Sequence, residues 1–181
     1  MESYEALLAS ITGGTGETRT ILDPATGTVV GEAPVHTVED LDRAVAAAAE
    51  AQPAWAALGH EGRSAVLRKA ADAVERSAED LARLLSREQG KPLNGLNARF
   101  EVGACVAWLR ATAATVLEPE TVVDDGETYA ELHYKPIGVV GAIGPWNWPM
   151  MITTWQIAPA LRMGNAVVVK PSEYTPLSVL A

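Results

Sequence analysis

The sequence of 181 residues contains a single cysteine, Cys105, so no disulfide can form within the chain. Basic residues are also scarce, because 14 lysines and arginines stand against 23 acidic residues and give a formal net charge of −9. Bare nucleic acid and anionic membrane surfaces are bound through basic faces, which this composition does not favour. The shortage of cysteine argues against a small secreted disulfide scaffold and favours the cytoplasm.

Long apolar runs are missing as well. The first residues, MESYEALLASITGG, include two acids and no basic group, which is unlike a signal peptide. The most apolar region, residues 137–152, is too short for a membrane span and contains Pro145 and Pro149. The three histidines are scattered without ligand spacing, so no metal site is predicted. With 48% hydrophobic residues, the composition is that of a folded soluble protein.

The first three quarters of the chain are expected to form a hairpin and a series of helices. Residues 1–16 are weakly patterned and predict a loose start that ends in the sequence TGGTG. Strands are predicted at Thr18–Leu22 and Thr28–Val30, around the turn sequence DPATG. Helical spacing of apolar residues then predicts four helices. The first starts after Thr37 and ends near Pro53, and the second runs from Arg63 to Arg76. The third runs from Ser77 to a cap at Gly90, and the fourth spans Asn97 to Leu117.

Some of these helices carry a recognisable apolar face. In the first of them the face carries Leu41, Val45 and Ala48. In the last of them the residues expected to be buried are Phe100, Cys105, Trp108 and Val116. A buried cysteine of this kind is expected to be an inert thiol and not a nucleophile.

From residue 136 the pattern becomes that of a parallel strand–helix–strand unit. Gly138–Ile143 and Ala166–Val169 are short continuous apolar runs, which are typical of strands buried on both faces. Pro149–Met163 lies between them and fits a crossover helix. Thr175 then fits the cap of a further helix, with Pro176 at its first position. An exposed strand is predicted just before this unit, at residues 128–135.

These elements predict an α/β fold in which an N-terminal hairpin and helices lead into the start of a Rossmann-like parallel sheet. Residues 1–135 are expected to form the hairpin and helical segment, and residues 136–181 the start of the dinucleotide-binding sheet. A sheet of only two parallel strands leaves much apolar surface uncovered, so more chain is expected to follow.

Two loops follow the two predicted buried strands, and ligands of open α/β sheets bind at such carboxyl ends. The first loop reads GPWNWP, and the amide NH2 of Asn147 could donate to an oxygen that gains negative charge, as in an oxyanion hole. The alternative is a buried turn in which Asn147 satisfies backbone groups. In the second loop, Lys170 and Glu173 could hold the hydroxyls of a ribose, and the alternative is a solvated charge pair. Neither G-x-G-x-x-G nor G-x-x-x-x-G-K-[ST] is present.

The segments GVVGAIGPWNWP and NAVVVKPSEYTPLS are similar to the start of the cofactor domain in the aldehyde dehydrogenase superfamily. Earlier segments resemble the hairpin, the first helix and the long helical pair of that family, and they read DPATGTVVGEAPV, PAWAAL and REQGKPLNGLNARFEV. The resemblance therefore covers about Thr18 to Ala181. It implies that Asn147 stabilises the oxyanion of the thiohemiacetal. The residues that it implies for cofactor binding are Ile143, Gly144, Pro145, Trp146, Asn147, Lys170, Ser172 and Glu173.

The acid at Glu173 favours NAD over NADP as the implied cofactor, because a carboxylate repels a 2′-phosphate. In the family a cysteine attacks the aldehyde and a glutamate activates water, but both residues lie downstream of the asparagine loop and this sequence ends before them. Cys105 lies upstream and does not match the catalytic position. The resemblance therefore implies a fragment, without the catalytic domain, of a homo-oligomeric NAD-dependent enzyme that oxidises an aldehyde to an acid. The chain alone is expected to be inactive, and the alternative is a non-catalytic short product that acts as a binding or interaction module.

Overall fold

The computed structural model describes residues 4–11 and 16–181, and the predicted loose segment at residues 12–15 lies outside them. The expectation of a loose start is wrong for Tyr4–Ser10, which form helix α1. Leu7 of α1 is buried in a cluster with Leu81 and Leu85. A helix of seven residues has little stability of its own, so this tertiary burial, which local sequence signals do not reveal, accounts for it.

The predicted elements follow in the predicted order, α1 and β3 (Glu120–Asp124) are present in addition, and the α/β fold class is confirmed. Strands β1 (Thr18–Leu22) and β2 (Val29–Pro34) form an antiparallel hairpin. The helices that come next are α2 (Val38–Ala57), α3 (Gly59–Arg76), α4 (Ala78–Gln89) and α5 (Ala98–Ala114). A second antiparallel hairpin and a parallel unit complete the described chain, with bounds β3 (Glu120–Asp124), β4 (Tyr129–Leu132), β5 (Val139–Ile143), α6 (Pro149–Arg162), β6 (Ala166–Lys170) and α7 (Leu177–Leu180).

Helix α2 begins as predicted but ends later. The Thr37 hydroxyl accepts from the Asp40 amide at 3.2 Å, and the Asp40 carboxylate accepts from the Thr37 amide at 2.8 Å, which completes a capping box. The helix passes through Pro53 and runs to Ala57. Its last turns are tied to the end of α6, where Trp55 Nε1 donates to a backbone oxygen at 2.9 Å. This tertiary attachment outweighs the local cost of a proline inside the helix.

The apolar face of α2 is largely exposed. Leu41 is 51% exposed and Val45 is 41% exposed, and no residue of α2 is fully buried. The helix lies against β5 and β6 without embedding its apolar face. Periodicity marks an apolar face, but whether that face is covered depends on neighbouring elements.

Helix α5 is the centre of the helical layer and packs against α3, α4 and α6. Cys105 is buried as predicted, but Phe100, Trp108 and Val116 are exposed. Val116 lies beyond the end of α5. Trp108 packs instead against Trp155 of α6, with ring centroids 5.4 Å apart at the surface. Large aromatic side chains can thus be paired with each other while staying partly in water.

Strands β5 and β6 pair in parallel and are joined by α6, as predicted. Their burial is less complete than predicted, because most of their residues are only half-buried and Ala142 alone in the two strands is fully buried. Helices α2 and α6 both contact the pair. The carboxyl end is open to solvent, where Ile143 is 69% exposed.

Helix α7 starts one residue later than predicted. It begins at Leu177 with Pro176 at the N-cap position, and Thr175 does not cap it. The Thr175 hydroxyl instead donates to the backbone oxygen of Trp146 at 3.3 Å. Within residues 4–11 and 16–181, every helix is too short or too polar to cross a membrane.

Candidate functional site

The two loops singled out in the sequence lie side by side at the carboxyl end of the parallel strand pair. Ile143 is paired with Lys170 in the strand register, so both strands end at the same level. The Gly144 amide donates to the Lys170 oxygen at 3.0 Å, which ties the start of one loop to the start of the other. We call residues 143–149 the asparagine loop and residues 170–176 the lysine–glutamate loop.

The asparagine loop begins with a glycine for steric reasons. A Cβ atom at Gly144 would lie 2.3 Å from Oγ1 of Thr153, which is buried in the second turn of α6. Any side chain at position 144 would therefore push the loop away from α6. The absence of a side chain at Gly144 therefore allows the loop to lie close to the helix that follows it.

Asn147 is exposed, and its backbone is held from the helical layer beneath. The backbone oxygen of Asn147 accepts from Nζ of Lys91 at 2.8 Å. The same ammonium group lies 2.6 Å from a carboxylate oxygen of Glu101. The interpretation of Asn147 as part of a buried turn does not fit its exposure, because its side chain is open to solvent.

Apolar side chains stand next to the amide on the same loop. Trp146 is 58% exposed, and Ile143 at the end of β5 is also exposed. Trp148 on the other side of Asn147 is half-buried, with its ring 4.3 Å from Nζ of Lys91 and its centroid 6.1 Å from that of Phe100. The two tryptophans of the loop thus have different environments, one at the surface and one against the helical layer.

The lysine–glutamate loop presents two opposite charges to solvent. Nζ of Lys170 lies 3.7 Å from a carboxylate oxygen of Glu173 and donates to the backbone oxygen of Pro171 at 3.0 Å. The pKa of Glu173 lies below its usual value, first because its own backbone amide donates to the carboxylate and then because of the positive charge of Lys170. Glu173 is therefore ionised at neutral pH and can accept hydrogen bonds from a bound ligand.

Ser172 has a different position from its two charged neighbours. It is buried, and its hydroxyl oxygen accepts from the Tyr174 amide at 3.3 Å. Such a bond closes a turn within the loop. Ser172 thereby sets the direction in which Glu173 leaves the loop.

The amides that follow each loop are satisfied by buried carboxylates from other helices. Glu101 of α5 accepts from the Met150 amide at 2.9 Å and from the Met151 amide at 3.1 Å. Glu88 of α4 accepts from the Leu177 amide at 2.7 Å and from the Ser178 amide at 2.9 Å. Sequence reasoning missed both carboxylates as acceptors for these amides. The available signal was a charged residue on an otherwise apolar helix face, as at Glu88 beside Leu81, Leu84 and Leu85.

Cys105 is not a candidate nucleophile. It is 1% exposed, and burial raises the pKa of its thiol to about 11. A thiol with that pKa is almost entirely protonated at neutral pH and cannot attack a carbonyl group. The predicted burial of Cys105 is confirmed. Among the described residues, no group of three or more histidines, cysteines or acids is placed to hold a metal ion.

Comparison with known proteins gives the family. Residues 11–181 match the family model described as aldehyde dehydrogenase family, and the chain belongs to that family. It is 43% identical over 163 residues to the 3,6-anhydro-alpha-L-galactose dehydrogenase of Streptomyces coelicolor, which covers 89% of this chain and 33% of the relative.

Solved structures agree with this assignment. PnpE from Pseudomonas sp. WBC-3 is similar with a TM-score of 0.86 and 38% identity, over 93% of this chain and 35% of that one, and its structure is also known in complex with nicotinamide adenine dinucleotide. An E. coli enzyme described as NADP dependent is similar with a TM-score of 0.88 and 32% identity, over 93% of this chain and 36% of that one. The chain thus spans about a third of the length of these relatives.

Proposed function

We propose that these 181 residues form the front part of an NAD-dependent aldehyde dehydrogenase that oxidises an aldehyde to a carboxylic acid. The observation that supports this most directly is the joining of two loops at one sheet edge, one with an exposed amide and the other with an exposed Lys170–Glu173 pair. Together with family membership, this arrangement gives one loop for the reacting oxygen and one for the cofactor.

The exposed groups fit a dinucleotide by their chemistry. The ionised carboxylate of Glu173 accepts hydrogen bonds from the two hydroxyls of a ribose, while Lys170 donates to them. Ser172 supports this loop from beneath. Ile143, Gly144, Pro145 and Trp146 provide a largely apolar edge along which a flat ring can lie. When bound, NAD accepts the hydride that leaves the substrate carbon.

Glu173 is the reason for proposing NAD and not NADP. Similar structures include one solved with NAD and one from an NADP-dependent enzyme, so fold similarity alone does not choose between them. A carboxylate held ionised at the ribose position repels a 2′-phosphate at short range. NAD is therefore the proposed cofactor.

Asn147 is the proposed catalytic residue of this chain. Its exposed side-chain NH2 donates to the substrate oxygen as negative charge develops there. The nucleophile must come from elsewhere, because the one cysteine, Cys105, is buried and protonated. We therefore propose that residues 1–181 alone do not reduce NAD in the presence of an aldehyde.

The first test is to sequence the source gene beyond the codon for Ala181 and assay its complete product for NAD reduction with a panel of aldehydes. Asn147→Ala in that product is expected to lower kcat by roughly 100- to 1000-fold, as loss of an oxyanion donor does. Glu173→Gln is expected to raise KM for NAD and to improve the use of NADP. Glu118→Gln removes the same charge from an exposed site and serves as the control.

Two results would count against the proposal. A complete product that oxidises no aldehyde, with either cofactor, refutes the proposed reaction. Full activity after Asn147→Ala refutes the proposed role of the amide and leaves the reaction in place.

A further inference from the structure

A buried ion pair lies directly beneath the asparagine loop. Nζ of Lys91 and a carboxylate oxygen of Glu101 are 2.6 Å apart, and the two side chains are 9% and 0% exposed. Lys91 follows the end of α4 and Glu101 lies in the first turn of α5. The pair therefore belongs to the helical layer and not to the sheet that presents the site.

The two partners hold the backbone at Asn147 and shortly after it. Lys91 donates to the backbone oxygen of Asn147 at 2.8 Å, and its charge lies over the Trp148 ring. Glu101 accepts from the amides of Met150 and Met151 at the start of α6. Asn147 is thus fixed at its own carbonyl and again three residues later.

Helix α6 has no acceptor of its own at its start. Its N-cap residue is Trp148, which makes no side-chain cap hydrogen bond, and Pro149 occupies the first turn. The first amides of a helix have no acceptor within the helix and need one from elsewhere, and a negative charge at that end is favourable. Glu101 meets this need from a neighbouring helix, and Lys91 balances its charge. Besides attracting each other, Lys91 therefore donates to the loop and Glu101 accepts from the start of α6.

A contribution to stability alone does not account for such a pair. Removing two charges from water costs about as much as their attraction returns, so buried ion pairs are weak stabilisers. Their geometry, in contrast, is well defined, because each hydrogen bond fixes a direction as well as a distance. Apart from the bond between the two partners, the side-chain hydrogen bonds of this pair go to the backbone of residues 147–151.

We propose that Lys91 and Glu101 are positioning residues that set the direction of the Asn147 amide toward the reacting oxygen. This inference rests on the proposed function of Asn147. Neither residue touches substrate, because both lie beneath the loop. They act through the backbone of residues 147–151, and their side-chain hydrogen bonds go to that segment and not to the lysine–glutamate loop.

The main test uses the double variant Lys91→Met/Glu101→Met, because it removes both buried charges together, leaves no unpaired charge to prevent folding and takes away the acceptor of the Met150 and Met151 amides. In the 181-residue chain, amide hydrogen exchange at Met150 and Met151 is expected to rise roughly 10- to 100-fold, as loss of hydrogen bonds to a charged group does. Amides in the middle of α3 are expected to exchange as in the wild type. A general loss of stability would raise exchange at both places.

The same double variant is then measured in the complete gene product. We expect kcat to fall by roughly 10- to 100-fold, the cost of a misplaced catalytic group, and KM for NAD to stay within about twofold. Lys69→Met removes an exposed lysine from α3 and is the matched control, with both constants expected to remain unchanged.

The outcomes separate the inference from the proposed function. Unchanged exchange at Met150 and Met151, or faster exchange with an unchanged kcat, overturns the positioning role. An equal fall in kcat and rise in KM for NAD also overturns it, because the effect would then reach the cofactor loop. A wild-type product that oxidises no aldehyde refutes the proposed function, and the inference falls with it.

Discussion

Glu88 is a buried carboxylate whose charge state should control how the stability of this chain depends on pH. It is 3% exposed and accepts hydrogen bonds from the amides of Leu177 and Ser178. Unlike Glu101, it has no ion-pair partner within 4.0 Å among the described residues. Burial, opposed by these hydrogen bonds, raises the pKa of Glu88 from its usual 4.5 to about 7, and the negative charge of Glu101 adds to the rise.

The direction of the pH effect follows from which state binds the proton more tightly. Between pH 4.5 and about 7 the folded chain keeps Glu88 protonated while the unfolded chain does not. The free energy of unfolding therefore decreases as pH rises through this interval. A rise in pKa from 4.5 to about 7 corresponds to about 3 kcal/mol, lost in full once the pH exceeds the folded value.

Other carboxylates do not obscure this interval. Several have a folded pKa below the usual range, such as Glu79 at about 2, where bonds from Arg99 and Arg83 stabilise the ionised form. A carboxylate of this kind stabilises the fold at every pH above the pKa that it has in the unfolded chain. It loses that effect only as the pH falls toward its lower pKa in the folded chain. The contribution of such carboxylates is complete above about pH 5.

The assay is urea unfolding, followed by tryptophan fluorescence, at pH values between 5 and 8. The free energy of unfolding of Glu88→Gln, taken relative to the wild type, is expected to rise by about 2–3 kcal/mol across this range, because only the wild type acquires a buried charge and part of the effect already lies below pH 5. Glu118→Gln, at an exposed carboxylate, should follow the wild type throughout. If wild type and Glu88→Gln run parallel from pH 5 to 8, Glu88 is ionised in the folded chain and the reasoning is refuted.

Two further predictions concern the packing around the site. Gly144→Ala should destabilise the chain by about 1–3 kcal/mol because its Cβ meets Oγ1 of Thr153, whereas Gly141→Ala, with no atom within 4 Å of its Cβ, should be close to neutral. The free energy of unfolding lost through Thr153→Ala should be smaller in the Gly144→Ala background than in the wild type. Equal losses of this free energy in Gly141→Ala and Gly144→Ala, measured by urea unfolding, would contradict this explanation. Cys105 should react with an aromatic disulfide reagent at least about 100-fold more slowly in the folded chain than in urea, because the pKa of its thiol is raised to about 11; fast reaction of the folded chain would show that the thiol is accessible.

Much of the fold could be predicted because its signals are local. The Thr37 cap, the turn between β1 and β2 and the end of α4 each depend on a few adjacent residues. Gly90 shows this well, since it takes the left-handed conformation at φ 84° that a helix-terminating glycine adopts. The parallel unit was also predictable, because two apolar runs separated by one helix length leave few alternatives.

The burial of particular faces could not be predicted in the same way. The apolar spacing in α2 is genuine, but the helix contacts the strand pair without covering that face, and Leu41 and Val45 remain in solvent. Trp108 was expected in the core because it is large and apolar, yet it stacks on Trp155 at the surface. Helix α1 was missed because its stability comes from where Leu7 is buried and not from its own seven residues. In each case the deciding contact is distant in sequence.

In the candidate site, too, the residues with local sequence signals could be predicted and those with distant contacts could not. The sequence placed Asn147, Lys170 and Glu173 at strand ends, and the structure brings their two loops together. It gave no comparable indication for Lys91 and Glu101, which lie 56 and 49 residues from the backbone groups they bind. A charge on an apolar helix face shows that a partner is needed, but not which partner it is.

The two loops explain why those partners come from the helical layer. A loop that directs the side chain of Asn147 or Glu173 to solvent cannot use the same side chain to cap the helix that follows. The residues at the two N-cap positions, Trp148 and Pro176, make no side-chain hydrogen bond to the amides of α6 and α7. Those amides still need acceptors because they are buried, and the acceptors come from α4 and α5. A cut at residue 136, between the predicted helical and sheet segments, would therefore leave both helix starts without acceptors and both carboxylates without donors, so the helical layer is part of the construction of the site.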